Sequence, residues 1–239
     1  MNESQHIMSA FDRDLEAIQA TIMKMGGLVE AAIVSATKAL AEGDEELALR
    51  VADNDTAIDA LEEHVNEESA RVLALRSPTA TDLRTVLSVI RISGNLERCG
   101  DYAKNIAKRT TVLSQMQLPE GSANSIRRMA REVELMMKDA LDAYIQRDEA
   151  LAEQVRQRDA NVDQMYNALF REFLTFMMED PRNITSCMHL HFIAKNVERT
   201  GDHVTSIADQ VIYLVSGTMP DDARPKGDST PYTTGVGQT

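Results

Sequence analysis

This sequence predicts an all-α protein of two tandem three-helix bundles, six long helices related by an internal repeat. Three observations carry that expectation. Apolar residues recur three and four positions apart over long stretches. Prolines fall between those stretches. The second half of the chain repeats the first. No segment shows the two-residue alternation of a half-buried strand.

The elements follow in order. Phe11, Leu15, Ile18, Ile22, Met25, Val29, Ala32, Ala36 and Ala39 form a heptad-like stripe, and a first helix is expected near 5–42. A second stripe, Leu47, Val51, Ile58, Leu61, Val65, Val72 and Leu75, predicts a helix over 45–76, with Asp44 as its N-cap. Pro78 separates it from a third helix over 80–115. Pro119 and Gly121 divide the chain. Helices over 122–147, 149–179 and 183–216 complete the second half, with Asp148 as an N-cap and Pro181 at the last break. The expected domains are 5–117 and 122–216. The segment 217–239 is rich in Pro, Gly, Ser, Thr and Asp, has too few apolar groups to offset its ordering entropy, and is expected to be a disordered tail.

Composition agrees. Of 239 residues, 43% are apolar but only 4% aromatic, with no Trp and 13 Met. The core is therefore aliphatic, and the Met residues on the stripes read as core filler. A net charge of −13 repels nucleic-acid backbones and anionic lipid, and makes basic protein surfaces and metal cations the natural counterparts; it also serves solubility. Cys99 and Cys187 form no Cys-x-x-Cys motif, so disulfide and zinc-thiolate frameworks are not expected. The N-terminal residues lack a basic stretch followed by an apolar run, and no run approaches ~18 consecutive apolar residues, so neither a signal peptide nor a membrane span is expected. The expected location is the cytoplasm.

The repeat is specific. Met25, Val29, Asp44, Asp55 and Asp59 match Met129, Val133, Asp148, Asp159 and Asp163 at a constant offset of 104. Asn95, Glu97, Arg98, Gly100, Asp101, Ile106 and Ala107 match Asn196, Glu198, Arg199, Gly201, Asp202, Ile207 and Ala208 at an offset of 101. Small offset changes at turns are the mark of a divergent duplication.

The best-conserved unit between the copies is Asn-x-Glu-Arg-x-Gly-Asp. Glu97 and Asp101 share one helix face, a like-charge pair that costs a few tenths of a kcal/mol. Gly100 and Gly201 sit mid-helix, at roughly 1 kcal/mol each against Ala. Two copies of a costly arrangement suggest a compensating gain: close approach of a neighbouring helix, or a hard cation held by paired carboxylates. Hairpin geometry adds to this. About a turn at Pro78, residues whose numbers sum to about 156 lie level, which stacks Asp55 and Asp59 against Asp101 and Glu97. In the second half Asp159 and Asp163 stack against Asp202 and Glu198, and Glu30 and Glu134 fall near these heights. Two readings stand: two equivalent oxygen-rich metal sites, or a solvated acidic rim neutralised by Arg98 and Arg199. A ferritin-like di-iron site needs Glu-x-x-His from two helices, and only Glu3 with His6 matches. His189 and His191 have no first-half equivalents and read as packing or surface histidines. No phosphate-binding glycine loop, nucleophile elbow or Cys/His dyad is present.

Two copies of Leu/Val-Glu-Arg-x-Gly-Asp within three-helix units, with Asp82-Leu83-Arg84 and Asp180-Pro181, resemble the PhoU family of phosphate-signalling regulators over about residues 7–217. The resemblance implies a non-enzymatic regulatory adaptor that binds Fe, Mn, Mg or Zn ions through the acidic motifs. It implies negative regulation of the phosphate-starvation response, contacts with phosphate ABC transporter subunits and a phosphate-sensor histidine kinase, and a homodimer peripheral to membrane complexes. The rival of another class is a metal-dependent helical-bundle enzyme or metal store. Family members commonly continue the motif as Asn-Ile-Ala-Glu, whereas here Lys108 and Asp209 end the two copies.

Overall fold

The protein, described by a computed structural model over residues 3–76, 78 and 80–220, contains only helices and turns among those residues. Six long helices run in chain order: α1 (Glu3–Glu42), α2 (Glu45–Arg76), α3 (Ala80–Leu113), α4 (Ser122–Gln146), α5 (Glu149–Glu179) and α6 (Ile184–Ser216). The expected boundaries hold to within two residues. The larger differences are local: α3 gives way to a turn after Leu113, and a short 3₁₀ turn, Pro181–Asn183, precedes α6.

The turns explain the breaks. Leu47 N donates to Asp44 Oδ1 at 2.9 Å and Leu151 N to Asp148 Oδ1 at 3.0 Å, so each aspartate caps the second helix of its half. The residue before each cap is left-handed: Gly43 at φ 65° and, at the equivalent position, Arg147 at φ 52°. That conformation lets Asp44 N reach Ala39 O and Asp148 N reach Ala143 O, closing the preceding helix.

Within each half the three helices pack on one another, and the halves then join through α3 against α6 and α1 against α4. One continuous apolar cluster runs through both. Met25, Met129, Met136 and Met137 lie inside it, as the stripes predict; truncating such a side chain to Ala costs about 2–5 kcal/mol. α3 and α6 run antiparallel: Arg109 meets His189 at one end, Arg84 stacks over Tyr213 at the other, and Cys99 faces Thr200 between them. Gly26 takes α1 close to α4, where an added Cβ would stand 2.5 Å from Leu141 Cδ1.

α1 qualifies the expectation about membranes. By mean hydropathy it is, over Phe11–Glu42, the one described helix long and apolar enough to cross a bilayer. Its seam of Ile18, Ile22, Met25, Val29, Ile33 and Ala36 is buried in the bundle core. Residues 221–239, most of the predicted tail, lie outside the described residues. The described start of that segment stays by the bundle, with Gly217 closing α6 beside Arg84.

Candidate functional site: two carboxylate levels

The α2–α3 hairpin sets the register that the sequence suggests. Asp55 is 3% exposed and points at Gly100. A Cβ on Gly100 would stand 3.3 Å from Asp55 Oδ1 and 3.0 Å from Ile58 Cδ1. The glycine thus admits side chains of the adjoining helix rather than its backbone. Burying a carboxylate demands a counter-charge, and Lys104, one turn beyond Gly100, supplies it through a 2.5 Å contact from Nζ to Asp55 Oδ2. Asp59 lies one turn along α2 and is exposed. Glu97 and Asp101 are half-buried, and Arg98 lies 3.3 Å from each.

These four acids share one electrostatic field. Although Asp59 is exposed at the surface, partial desolvation against the bundle, then the neighbouring Asp55, holds its carboxyl above the usual carboxylate range, with Lys104 opposing. Burial and Asp101 raise that of Glu97, with Arg98 opposing and Asp59 and Glu62 adding to the repulsion. Glu62, which the hairpin arithmetic did not include, therefore belongs to this level.

The α5–α6 hairpin repeats the arrangement more deeply. Asp159, Asp163 and Glu198 are all buried, Glu198 to 5% exposure, and Asp202 is half-buried. A Cβ on Gly201 would meet Asp159 Oδ1 at 3.5 Å and Val162 Cγ1 at 3.4 Å. Lys195 Nζ lies 2.7 Å from Glu198 Oε1 and 4.9 Å from the centre of the Tyr166 ring. A turn away, Arg156 bridges Glu153 and Asp209 at 2.7 Å each.

Arg98 pairs with the acids of its own motif, as the rim reading expects, but Arg199 lines a cleft between α3 and α6. Lys104 and Lys195 are the residues that sequence reasoning missed. Their signal was present: Lys104 follows Asp101 by three positions and Lys195 precedes Glu198 by three, each sharing a helix face with an acid. Glu30 has its nearest charged neighbours elsewhere. It packs toward Glu134, Lys138 and Asp142 of α4, across the junction of the halves, rather than completing the first carboxylate level.

The donor chemistry suits a hard cation, since every group on each level is a carboxylate and their repulsion is only partly offset. Convergence is lacking: among the described residues no three His, Cys, Asp or Glu side chains stand grouped to share one ion. Both cysteines are buried, and burial pushes the Cys99 thiol far above its ordinary range, so thiolate ligation does not arise there.

Comparison with known proteins agrees with the repeat. The sequence pattern of the PhoU domain matches twice, over residues 22–110 and 126–211, and the two matches are displaced by the same 104 and 101 positions as the internal repeat. A phosphate-specific transport system accessory protein PhoU homolog of Rhizobium meliloti is 43% identical over 225 residues, covering 94% of this chain and 95% of that protein. The homolog of Zymomonas mobilis is 45% identical over 226 residues, with 94% and 95% covered. The crystal structure of PhoU from Pseudomonas aeruginosa superposes with a TM-score of 0.84 at 38% identity, covering 87% of this chain and all of that one. The phosphate transport system regulatory protein PhoU from Streptococcus pneumoniae gives 0.81 at 30% identity, covering 88% and 99%.

Proposed function

The chain belongs to the PhoU family, and from that premise we propose that it is a regulatory accessory of phosphate uptake. In this reading it is a cytoplasmic adaptor rather than an enzyme. It links the phosphate ABC transporter to a sensor histidine kinase and restrains the phosphate-starvation response when phosphate is plentiful. The relatives carry accessory or regulatory names, which agrees with a role without catalysis.

One observation favours docking by protein contact. Leu75, Leu83 and Leu87 at the α2–α3 tip are exposed, and so are their repeat equivalents Met178, Ile184 and Met188 at the α5–α6 tip. Leu75 reaches 66% exposure and Met178 85%. Large apolar side chains exposed at matching positions of both copies mark surfaces for partners. Because α3 and α6 are antiparallel, the two tips lie at opposite ends of the bundle, suited to a molecule that touches two partners.

The carboxylate levels are the proposed cation sites. Asp59, Glu97 and Asp101, with Asp55, would hold one hard cation in the first half. Asp163, Glu198 and Asp202, with Asp159, would hold one in the second. Lys104 and Lys195 must swing aside, or keep Asp55 and Glu198 out of the ligand set, and the remaining carboxylates must draw together, since no three of them stand grouped around one point. A bound ion would relieve carboxylate repulsion and fix the angle of each hairpin, and so the position of its tip.

A deletion strain carrying a phosphate-responsive reporter tests the regulatory role: expression should rise in phosphate-rich medium. Unchanged expression in both media would defeat the reading. Retention of the transporter ATPase and the kinase by immobilised protein, with and without chelator, tests whether metal shapes the docking surface. Equal retention in both conditions would remove metal from the mechanism while leaving the adaptor intact.

A further inference from the structure

The carboxylate levels leave one strongly charged feature unused. Between α3 and α6 lies an open cleft of roughly 620 Å³ whose lining includes Lys108, Arg109, His189, His191, Lys195 and Arg199 and no acidic residue. In a chain of net charge −13 this is an inversion of the general field. Lys108 contributes to this cleft rather than to the first carboxylate level.

The repeat supplies an internal control. The α3–α6 pairing has approximate two-fold symmetry, so an equivalent position exists toward the other end of the same helix pair. There Lys108 is replaced by Asp209, Arg109 by Gln210, His189 by Ser88 and Lys195 by Gly94. Arg199 corresponds to Arg98, which is engaged by Glu97 and Asp101. That end gains only one cation, Arg91 in place of Phe192, so the concentration of basic residues is a property of the Lys108 end and not a by-product of how the halves pack.

The cleft is also partly organised. The Arg109 guanidinium lies 4.4 Å over the Phe192 ring, and its Nη1 stands 3.4 Å from His189 Nδ1. A guanidinium anchored over a ring and beside an imidazole loses freedom, and its remaining N–H groups form the fork that suits phosphate oxygens. Lys195 is already shared with Glu198, so Lys108, Arg109 and Arg199 supply most of the available charge. A single phosphate group carries about −1.5 to −2 at neutral pH, so three or four cations balance about two phosphate groups. The cleft is open to solvent and has room for a small molecule.

We propose that this cleft binds a small molecule bearing more than one phosphate group, of the polyphosphate or nucleoside polyphosphate class. Its occupancy would place several negative charges across the α3–α6 junction of the two halves. The site stands independently of any transporter or kinase contact.

Titration calorimetry on the purified full chain tests it, with a chelator present so that no anion binds through metal on the carboxylate levels. The probes are inorganic phosphate, pyrophosphate, tripolyphosphate, ATP and an oligoglutamate peptide. Tripolyphosphate and ATP should bind saturably, one per chain, with roughly micromolar affinity that weakens as salt rises. Lys108→Ala with Arg109→Ala should weaken both about tenfold or more, while Arg91→Ala, at the equivalent end of the helix pair, should leave them within about twofold. These are surface positions, and circular dichroism confirms that each variant is folded. Equal affinity for ATP and tripolyphosphate supports recognition of the phosphate chain. Tighter ATP binding that Phe192→Ala removes supports the nucleotide class. The proposal is overturned by absence of saturable binding at millimolar probe, by inorganic phosphate binding as tightly as tripolyphosphate, by equal losses in Arg91→Ala, or by oligoglutamate competing at equal affinity, which would make the cleft a docking site for an acidic protein segment.

Discussion

The two carboxylate levels descend from one unit, yet each solves its electrostatic problem differently. In the first half the buried acid is Asp55 on α2, and its lysine follows the motif at position 104. In the second the paired acid is Glu198 on α6, and its lysine precedes the motif at position 195. Neither lysine has a counterpart: Lys104 corresponds to Thr205 and Lys195 to Gly94. The acids and the glycine were kept through divergence while the counter-charge was replaced. A neutralising lysine has a long stem and reaches the same level from several positions, so its place on the helix is free to change. The place of a carboxylate packed against a glycine is not.

Removing either lysine should have the largest effect and tests this directly. Lys104→Met leaves Asp55 buried without its cation and should cost about 3 kcal/mol, read as a lower denaturation midpoint at neutral pH. Lys195→Met should cost a similar amount through Glu198. The comparison is sharpened by paired variants: Lys104→Met with Asp55→Asn, and Lys195→Met with Glu198→Gln, should each recover most of the loss. If either single variant is as stable as the parent, that half's acid is satisfied by other groups and the parallel between the halves breaks.

The glycines separate the halves on a finer scale. Ala at either position gains roughly 1 kcal/mol in helix propensity. At Gly201 the new methyl meets its neighbours at 3.4 Å and beyond, an ordinary contact. At Gly100 it meets Ile58 Cδ1 at 3.0 Å and must displace it. Gly201→Ala should therefore raise the melting temperature by a few degrees, while Gly100→Ala should gain less or lose. Equal gains at both positions would show that the first hairpin is no tighter than the second.

The turn into each half's second helix gives a smaller contrast. Gly43 takes the left-handed position without cost, whereas Arg147 holds φ 52° with a Cβ. Arg147→Gly should stabilise by up to about 1 kcal/mol in thermal unfolding. A loss instead would mean that the arginine side chain holds the turn by contacts worth more than its backbone strain.

Much of this architecture was legible because it rests on short-range rules. The stripes of Ile22, Met25 and Val29, the caps at Asp44 and Asp148 and the hairpin register are set by helical periodicity and one turn each, so counting residues recovers them. The neutralising partners were less legible. Lys104 reaches Asp55 across a helix pair, whereas its visible signal, the three-residue spacing from Asp101, points to an acid on its own helix. The α3–α6 and α1–α4 junctions were illegible for a related reason: antiparallel packing between halves joins residues about a hundred positions apart. That is why the α4 neighbours of Glu30 are not apparent from its spacing, and why the cleft around Lys108 and Arg109 has no one-dimensional signature.

The smallest expected effect lies at that α1–α4 junction and again compares the copies. Glu134 pairs with Arg131 on its own helix, whereas the position equivalent to Arg131 is Gly27, so Glu30 lacks such a neighbour. Burial, then Glu134, and to a lesser degree Asp142, hold the Glu30 carboxyl above its ordinary range, with Lys138 of α4 opposing. An acid whose folded-state value is raised favours folding fully only below its unfolded value, near pH 4, and that contribution is lost as pH rises through the folded value. At neutral pH the ionised Glu30 is thus a small burden on the native state. Glu30→Gln removes the charge and should raise the melting temperature at pH 7 by on the order of 1 °C. The gap between variant and parent should close on acidification below about pH 4, where both carry a neutral side chain. A gap of the same size at both pH values would assign the effect to packing instead. A lower melting temperature for the variant at pH 7 would mean that Lys138 outweighs the burial and repulsion, and the two glutamates would then be neutralised alike.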